Sequence, residues 1–179
     1  MLAWGVGLFL DLSPLEQLQA TPAALAIGIA AAVPLLVGLR WTLTTAVNPV
    51  RRLVAKVVDE LGPLLARHSP LELMLLAALA GAAEEIFFRG VMQAGLARVL
   101  PPGGALITAS AAFGLAHFIT PTYALLAGLA GLYLGGLWLL QGSLLTPILA
   151  HAIYDAVALN YLVRIYRDTR PEQGAPRQG

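Results

Sequence analysis

The sequence predicts an all-α integral membrane protein, a bundle of about five to six transmembrane helices with one amphipathic helix at the interface. Composition is the first reason, because 58% of the 179 residues are hydrophobic and only 12% are charged. Soluble domains carry about 25% charged residues, so this chain has too little charge to cover a soluble surface. The second reason is that its apolar residues form several stretches of about 20, the length that crosses a bilayer.

Composition also excludes several classes of function. The chain has no cysteine, which rules out thiol catalysis and a disulfide scaffold. Its net charge of +1 gives no basic field for nucleic acid, so we expect no nucleic-acid partner. The lipid bilayer is the expected surrounding.

The N-terminal region contains two apolar segments. Residues 1–12 are too short to span a bilayer and lack the basic start of a signal peptide, so we expect a short buried or re-entrant helix there. Residues 21–39 are continuously apolar and are followed by Arg40 and Trp41. They predict the first transmembrane helix, with a kink at Pro34.

An amphipathic helix is predicted next. Asn48 is expected to be its N-cap, with Pro49 at the first helical position. Apolar residues recur at the helical period and charged residues fill the other face, which is typical of a helix in the membrane interface. A linker helix packed on the bundle is an equally good interpretation. The apolar positions are Val50, Leu53, Val54, Val57, Val58, Leu61, Leu64 and Leu65.

Four further apolar helices complete the predicted bundle. Ser69 and Glu72 form a capping box that starts the second span. Glycines on the fourth span allow close helix approach. The expected spans are 70 to about 97, 105–118, 121–140 and from 144 or 147 to 163. We divide the single domain into 1–69, the 70–163 bundle that holds the candidate site, and a polar, frayed tail at 164–179.

The distribution of basic residues predicts the orientation. Nine of the 11 lysines and arginines lie in the loop after the first span or in the tail, which five spans place on one side. That side should be cytoplasmic, so we expect the N-terminus outside and the C-terminus inside. For a bacterial protein the expected location is the inner membrane.

Three charged residues inside the second span require an explanation. Glu84, Glu85 and Arg89 lie within six residues, although a charge at a helix centre costs about 2.5–3.5 kcal/mol on insertion scales. Glu85 and Arg89 are four apart in the order that favours an ion pair, which we expect to face away from the centre of any cavity. Glu84 points about 100° away and is free for another role.

Two more helices carry polar residues at a spacing of four. Phe113 and His117 are expected on the third span, and His151 and Asp155 on the fifth. None of the ionisable groups can face lipid, so we expect them to converge inside the bundle. A carboxylate with an imidazole can activate water for attack on a carbonyl, and a second imidazole can hold the resulting oxyanion.

Other interpretations of these residues remain open. The Glu85–Arg89 pair alone is more typical of a structural ion pair, and Phe113 of packing. A proton or ion pathway also uses intramembrane Glu and His, and Glu and His side chains can hold a metal. The H-E-x-x-H spacing of zinc proteases is absent.

Three ordered motifs give the sequence a family resemblance over about residues 70–160. Residues 84–89 match E-E-x-x-x-R, residues 113–117 match F-x-x-x-H, and residues 151–155 match H-x-x-x-N with Asp155 in the last place. Together they resemble the CPBP family of intramembrane proteases, the CAAX-protease and bacteriocin-processing family. The resemblance implies an endopeptidase that acts on a membrane protein or peptide.

The resemblance also implies roles for these residues. Glu84 resembles the base that activates water, with His117 as its partner, and Glu85 and Arg89 resemble the supporting pair. His151 resembles an oxyanion donor, and Phe113 shapes the substrate pocket. The family is described as a glutamic protease without a catalytic metal, so no cofactor is expected; zinc is the alternative, after the older metalloprotease label.

Asp155 departs from the family pattern. An Asn amide donates to an oxyanion, whereas an ionised carboxylate does not. Asp155 is therefore either protonated, which we expect among apolar helices, or it orients His151.

Two other classes of function compete with the peptidase. One is a non-proteolytic membrane protein of the same fold, such as an immunity or scaffold protein. The other is a small proton-coupled transporter, although the sequence shows no internal repeat of the kind many transporters carry. The sequence leaves the oligomeric state open.

Overall fold

The computed structural model describes residues 13–14 and 16–170, and this part of the chain folds into a bundle of six helices. The all-α prediction is therefore confirmed. The helix expected at residues 1–12 lies outside the described residues. In chain order the elements are α1 (Pro22–Thr44), α2 (Asn48–Leu65), α3 (Pro70–Glu85), a π-helical segment (Ile86–Gln93) with a short turn (Ala94–Leu96), α4 (Pro102–Ala116), α5 (Pro121–Gln141) and α6 (Leu145–Thr169).

Three helices, α1, α5 and α6, are long and apolar enough to cross a membrane, and α4 is a shorter apolar helix. Large apolar side chains cover the outside of the bundle, among them Val37, Leu79 and Leu125, each more than half exposed. An apolar outer surface is unfavourable in water and favourable in lipid. The chain is thus an integral membrane protein.

Side chains cap the start of two of the helices, and the capping box predicted at Ser69 is one of them. The Ser69 hydroxyl accepts from the backbone N–H of Glu72, whose carboxylate accepts from the backbone N–H of Ser69. The Thr120 hydroxyl accepts from the N–H of Tyr123 at the start of α5. The cap expected at Asn48 is wrong by one residue, because the Val47 carbonyl already accepts from the helix and Asn48 is the first helical residue.

α6 is the central helix of the bundle. Its broadest contacts are with α1 and α3, and it also touches α2 and α5, while α4 packs mainly on α5. This arrangement surrounds His151 and Asp155 with the other helices, so the position of α6 determines the geometry of the site.

The amphipathic α2 packs across the end of α6. Val50, Leu53 and Val58 are buried on its inner face, and Gly62 lies directly against the Tyr166 ring. α2 thus packs on the bundle by its apolar face, with charged residues such as Arg51 and Lys56 facing outward.

The frayed tail expected from residue 164 is wrong for its first part. α6 continues to Thr169. Two arginines at its end bond to α2 and to Ala66, the residue that follows α2. Arg167 donates to the Ala66 carbonyl at 2.9 Å, and Arg170 donates to the Asp59 carboxylate at 2.7 Å.

The tight contact between α4 and α5 predicts a large effect of one methyl group. A Cβ at Gly114 would lie 2.5 Å from the Ala124 carbonyl oxygen, whereas a Cβ at Gly136 would meet nothing within 4 Å. Gly114→Ala should therefore destabilise the protein by about 1–3 kcal/mol and lower its thermal midpoint in detergent. Gly136→Ala, the matched control, should leave the midpoint unchanged or raise it slightly. Equal midpoints for the two variants would contradict this packing.

Candidate active site

The site begins where α3 ends. Glu84 and Glu85 are the last residues of α3, and the chain then changes to π-helical hydrogen bonding for eight residues. The wider π turn was not predicted, because the apolar pattern alone does not distinguish it from an α-helix. Such turns are frequent at functional sites. Here the segment carries Arg89 and Gln93 on its buried side.

Glu85 lies at the centre of a fully buried charged group. Its Oε1 accepts hydrogen bonds from Arg89 and from Nδ1 of His151, both at 2.8 Å, and the residue is 0% exposed. The predicted ion pair with Arg89 is therefore present. Neither Glu85 nor Arg89 lines the cavity described below, as expected of a pair that faces away from its centre, although Glu85 also bonds an imidazole of the site.

Arg89 and Gln93 join the π-helical segment to α5. Arg89 donates to the Gly131 carbonyl at 2.8 Å, and Gln93 donates to the Gly135 carbonyl at 3.3 Å. Gly135 permits this contact, since a Cβ there would lie 2.6 Å from the Gln93 side-chain oxygen. Sequence reasoning missed Gln93, although a polar residue four positions after Arg89 in an apolar helix was a usable signal.

Glu84 faces both histidines. Its Oε2 lies 3.4 Å from Nε2 of His117 and 4.0 Å from Nε2 of His151. The Glu84 side chain is 31% exposed, in contrast to that of Glu85. Within the described part of the chain this buried Oε2 atom accepts no hydrogen bond, and the two imidazole Nε2 atoms are its near polar neighbours.

His117 is held by its own helix end. Its Nδ1 lies 2.8 Å from the Phe113 carbonyl oxygen, which assigns the N–H to Nδ1 and leaves Nε2 facing Glu84. The residue was expected inside the third span but is the C-cap of α4, with φ −97° and ψ 23°. This bend at the helix end turns the imidazole into the bundle.

His151 is surrounded by carboxylates. Nδ1 contacts Glu85, while Nε2 lies 3.4 Å from Oδ2 of Asp155 and 4.0 Å from Glu84. Three carboxylates therefore face two imidazoles and one guanidinium, so most of the acidic charge has a basic partner nearby.

Phe113 forms the floor of this cluster. Its ring centroid lies 4.4 Å from that of His117 and 5.9 Å from that of His151, and the Arg89 guanidinium carbon lies 4.7 Å from its centroid. Phe113 thus contacts both imidazoles and shields the buried arginine. These contacts bring together all seven residues proposed from the sequence.

A cavity of about 370 Å³ opens beside the cluster. His117, His151 and Asp155 lie at its polar part, and apolar side chains of α1 and α5 form most of its walls. Sequence reasoning missed the contribution of α1, which carries no charged residue on this face. Three tyrosines also line the cavity: Tyr123, Tyr133 and Tyr154.

Two imidazoles and a carboxylate are also a donor set that catalytic zinc sites use, so the metal alternative is a question of geometry. Zinc in proteins takes three or four His, Cys or carboxylate ligands at about 2.0–2.3 Å in tetrahedral geometry. Among the described residues, no group of three or more His, Asp or Glu side chains is arranged to hold a metal ion.

Fold and site together define a class of protein, an integral membrane helix bundle with a carboxylate–imidazole site beside an apolar cavity. The family model described as type II CAAX prenyl endopeptidase Rce1-like matches residues 66–157, a stretch that contains every site residue named above. The chain belongs to this Rce1-like family, as the sequence motifs predicted. Neither the curated proteins nor the solved structures gave a match.

Proposed function

We propose that the chain is an intramembrane endopeptidase of the CAAX-protease type, hydrolysing a peptide bond with water activated by Glu84 and His117. The observation that carries the proposal is the position of Glu84, whose Oε2 lies 3.4 Å from Nε2 of His117, a residue that lines the cavity. Membership of the Rce1-like family supports a peptidase of this general kind. The finer mechanism follows from the residues.

In the proposed reaction Glu84 takes a proton from water, and the water oxygen forms a bond to the substrate carbonyl carbon. His117 holds the water and shares the proton. The proton then passes to the substrate nitrogen as the C–N bond breaks, which releases an amine and a carboxylate. Glu85 and Arg89 contribute by fixing the imidazole of His151 within this arrangement, through the 2.8 Å bonds on Glu85.

The cavity indicates the chemical class of substrate. Its walls are mostly apolar and come from helices that face lipid, so it suits an apolar segment of a membrane protein or peptide. The polar part of the cavity lies at the His117–His151 cluster. A bound segment would therefore present its backbone to the reactive groups while its apolar side chains occupy the α1–α5 side.

The decisive prediction concerns Glu84. Glu84→Gln keeps the shape of the side chain but removes the base, so turnover of a cleavable peptide should fall by about 10²–10⁴-fold. Glu72→Gln is the matched control, since it changes an exposed carboxylate of the same helix and a glutamine also serves in a capping box. Purified protein assayed with a panel of fluorogenic peptides gives the measurement. Equal loss in the two variants, or none in Glu84→Gln, would contradict the proposed base.

The same preparations test the metal question. The proposed steps use a carboxylate and imidazoles rather than a Lewis acid, so the active protein should carry less than stoichiometric metal by elemental analysis. Chelation alone is a poor test, because a chelator does not readily reach a buried site. Stoichiometric zinc that disappears in Glu84→Gln, His117→Ala and His151→Ala would establish the metalloprotease alternative.

A second prediction concerns Asp155, which we propose orients His151. The 3.4 Å contact between Oδ2 and Nε2 supports this role. The protonated oxyanion donor expected from the sequence is the alternative that the following test distinguishes. A hydrogen bond to a charged group is worth about 1.5–3 kcal/mol, so Asp155→Ala should lower turnover by about 10–100-fold and Asp155→Asn by less. Turnover is measured from pH 5 to 9. Higher turnover in Asp155→Asn would favour the donor role, and unchanged turnover in both variants would remove Asp155 from the chemistry.

The alternative of a non-proteolytic membrane protein rests on the same residue. Asp155 stands where the family motif has Asn, and a carboxylate there changes the charge of the site. If the wild-type protein cleaves no peptide while Asp155→Asn does, the chain is an inactive member of its family. A proton-coupled transporter has no comparable support in the described structure.

For the orientation, we propose that the C-terminus is cytoplasmic, since nine of the 11 basic residues fall on that side. A reporter enzyme that is active only outside the cytoplasm should be silent when fused after Arg170. The same reporter inserted after Leu100, in the loop that precedes α4, should be active. The reverse pattern would overturn the orientation.

A further inference from the structure

The proposed reaction places negative charge on the substrate carbonyl oxygen, and the described site offers few groups to stabilise it. Preorganised donors aimed at that oxygen are usually the largest single contribution to such a reaction. Nδ1 of His151 is committed to Glu85, and its Nε2 faces Asp155 and Glu84. An ionised carboxylate at position 155 only accepts.

Neutral donors also line the cavity, and three of them are tyrosines; the Thr42 hydroxyl is committed, because it donates to the Gly38 carbonyl oxygen. The hydroxyl of Tyr133 is committed, because it donates to the Ala31 carbonyl oxygen of α1 at 2.9 Å. Tyr154 is next to Asp155 on α6 and three residues after His151. Tyr123 comes from α5, a different helix, and its ring contacts that of His117.

Tyr123 is held in place from both ends. Its backbone N–H donates to the Thr120 hydroxyl in the first turn of α5, which fixes where the side chain begins. Its ring meets the His117 ring edge-on, with centroids 6.1 Å apart and an interplanar angle of 84°. The phenol group is also within electrostatic range of both Asp155 and Glu84. None of the hydrogen bonds found in the described part of the chain uses its hydroxyl.

We propose that the Tyr123 hydroxyl is a catalytic hydrogen-bond donor to the oxyanion. This inference rests on the proposed peptidase function. The phenol donates its hydrogen bond without transferring the proton, so no bond is made or broken at Tyr123. Its position beside His117 places the donor next to the group that holds the attacking water. The third motif of this chain ends in Asp155, whose ionised carboxylate cannot donate a hydrogen bond. The Tyr123 phenol supplies a neutral donor in its place.

The test compares three conservative variants in the full-length protein. Tyr123→Phe removes only the hydroxyl and should lower kcat by about 10²-fold, the lower end of the loss for an oxyanion donor, with KM nearly unchanged. The same variant should weaken the binding of a peptidyl phosphonate, which mimics the tetrahedral intermediate, by a similar factor. The binding of a product peptide should stay constant. Tyr161→Phe, on an exposed part of α6, is the matched control and should leave all of these values unchanged.

The other outcomes are also distinguishable. Loss in Tyr154→Phe without loss in Tyr123→Phe would overturn the assignment in favour of the other phenol. Wild-type kcat in Tyr123→Phe, with turnover still abolished by Glu84→Gln, would overturn this inference and leave the peptidase standing. Absence of peptide cleavage by the wild-type protein would overturn the proposed function itself. A melting midpoint equal to that of the wild type shows that each variant has folded.

Discussion

The structure depends on one requirement, that the Glu85 carboxylate be neutralised inside an apolar bundle. A carboxylate with 0% exposure is strongly unfavourable without partners, and removing one partner of a buried pair costs about 3–5 kcal/mol. Arg89 supplies one partner from the same helix, and His151 supplies the other from α6. The charged group therefore joins α3 to α6 in addition to the surrounding apolar contacts.

The same requirement extends to α5 through Arg89. A guanidinium has five N–H donors, and Glu85 satisfies only part of them. The Gly131 carbonyl accepts another, and the Phe113 ring lies over the guanidinium carbon at 4.7 Å. One buried arginine thus holds α3, α4 and α5 at defined distances. A site built on helices fixed in this way keeps its geometry better than a site built on loops.

Much of this could be predicted from the sequence, because charges in apolar helices are rare and have to converge. The spacing of Glu85 and Arg89 predicted their pair, and the positions of His117 and His151 predicted a shared site. Contacts between helices could not be predicted in the same way. The bond from His151 to Glu85 depends on the rotation of α6, and the Gln93 contact depends on a π turn that the apolar pattern does not encode. His117 also lies at a helix end rather than within the helix, which a pattern of spacings does not reveal.

Glu84 and Glu85 show how position alone separates two identical side chains. They are adjacent in the chain, so their side chains leave the helix about 100° apart. That rotation buries Glu85 among its two partners, whereas Glu84 reaches the histidines with a side chain that is 31% exposed. Arg89 and His151 hold the Glu85 carboxylate in place, whereas Glu84 faces the two imidazoles that border the cavity. The structural and the reactive roles therefore follow from a single step along the helix, and exchanging them would require turning the whole of α3.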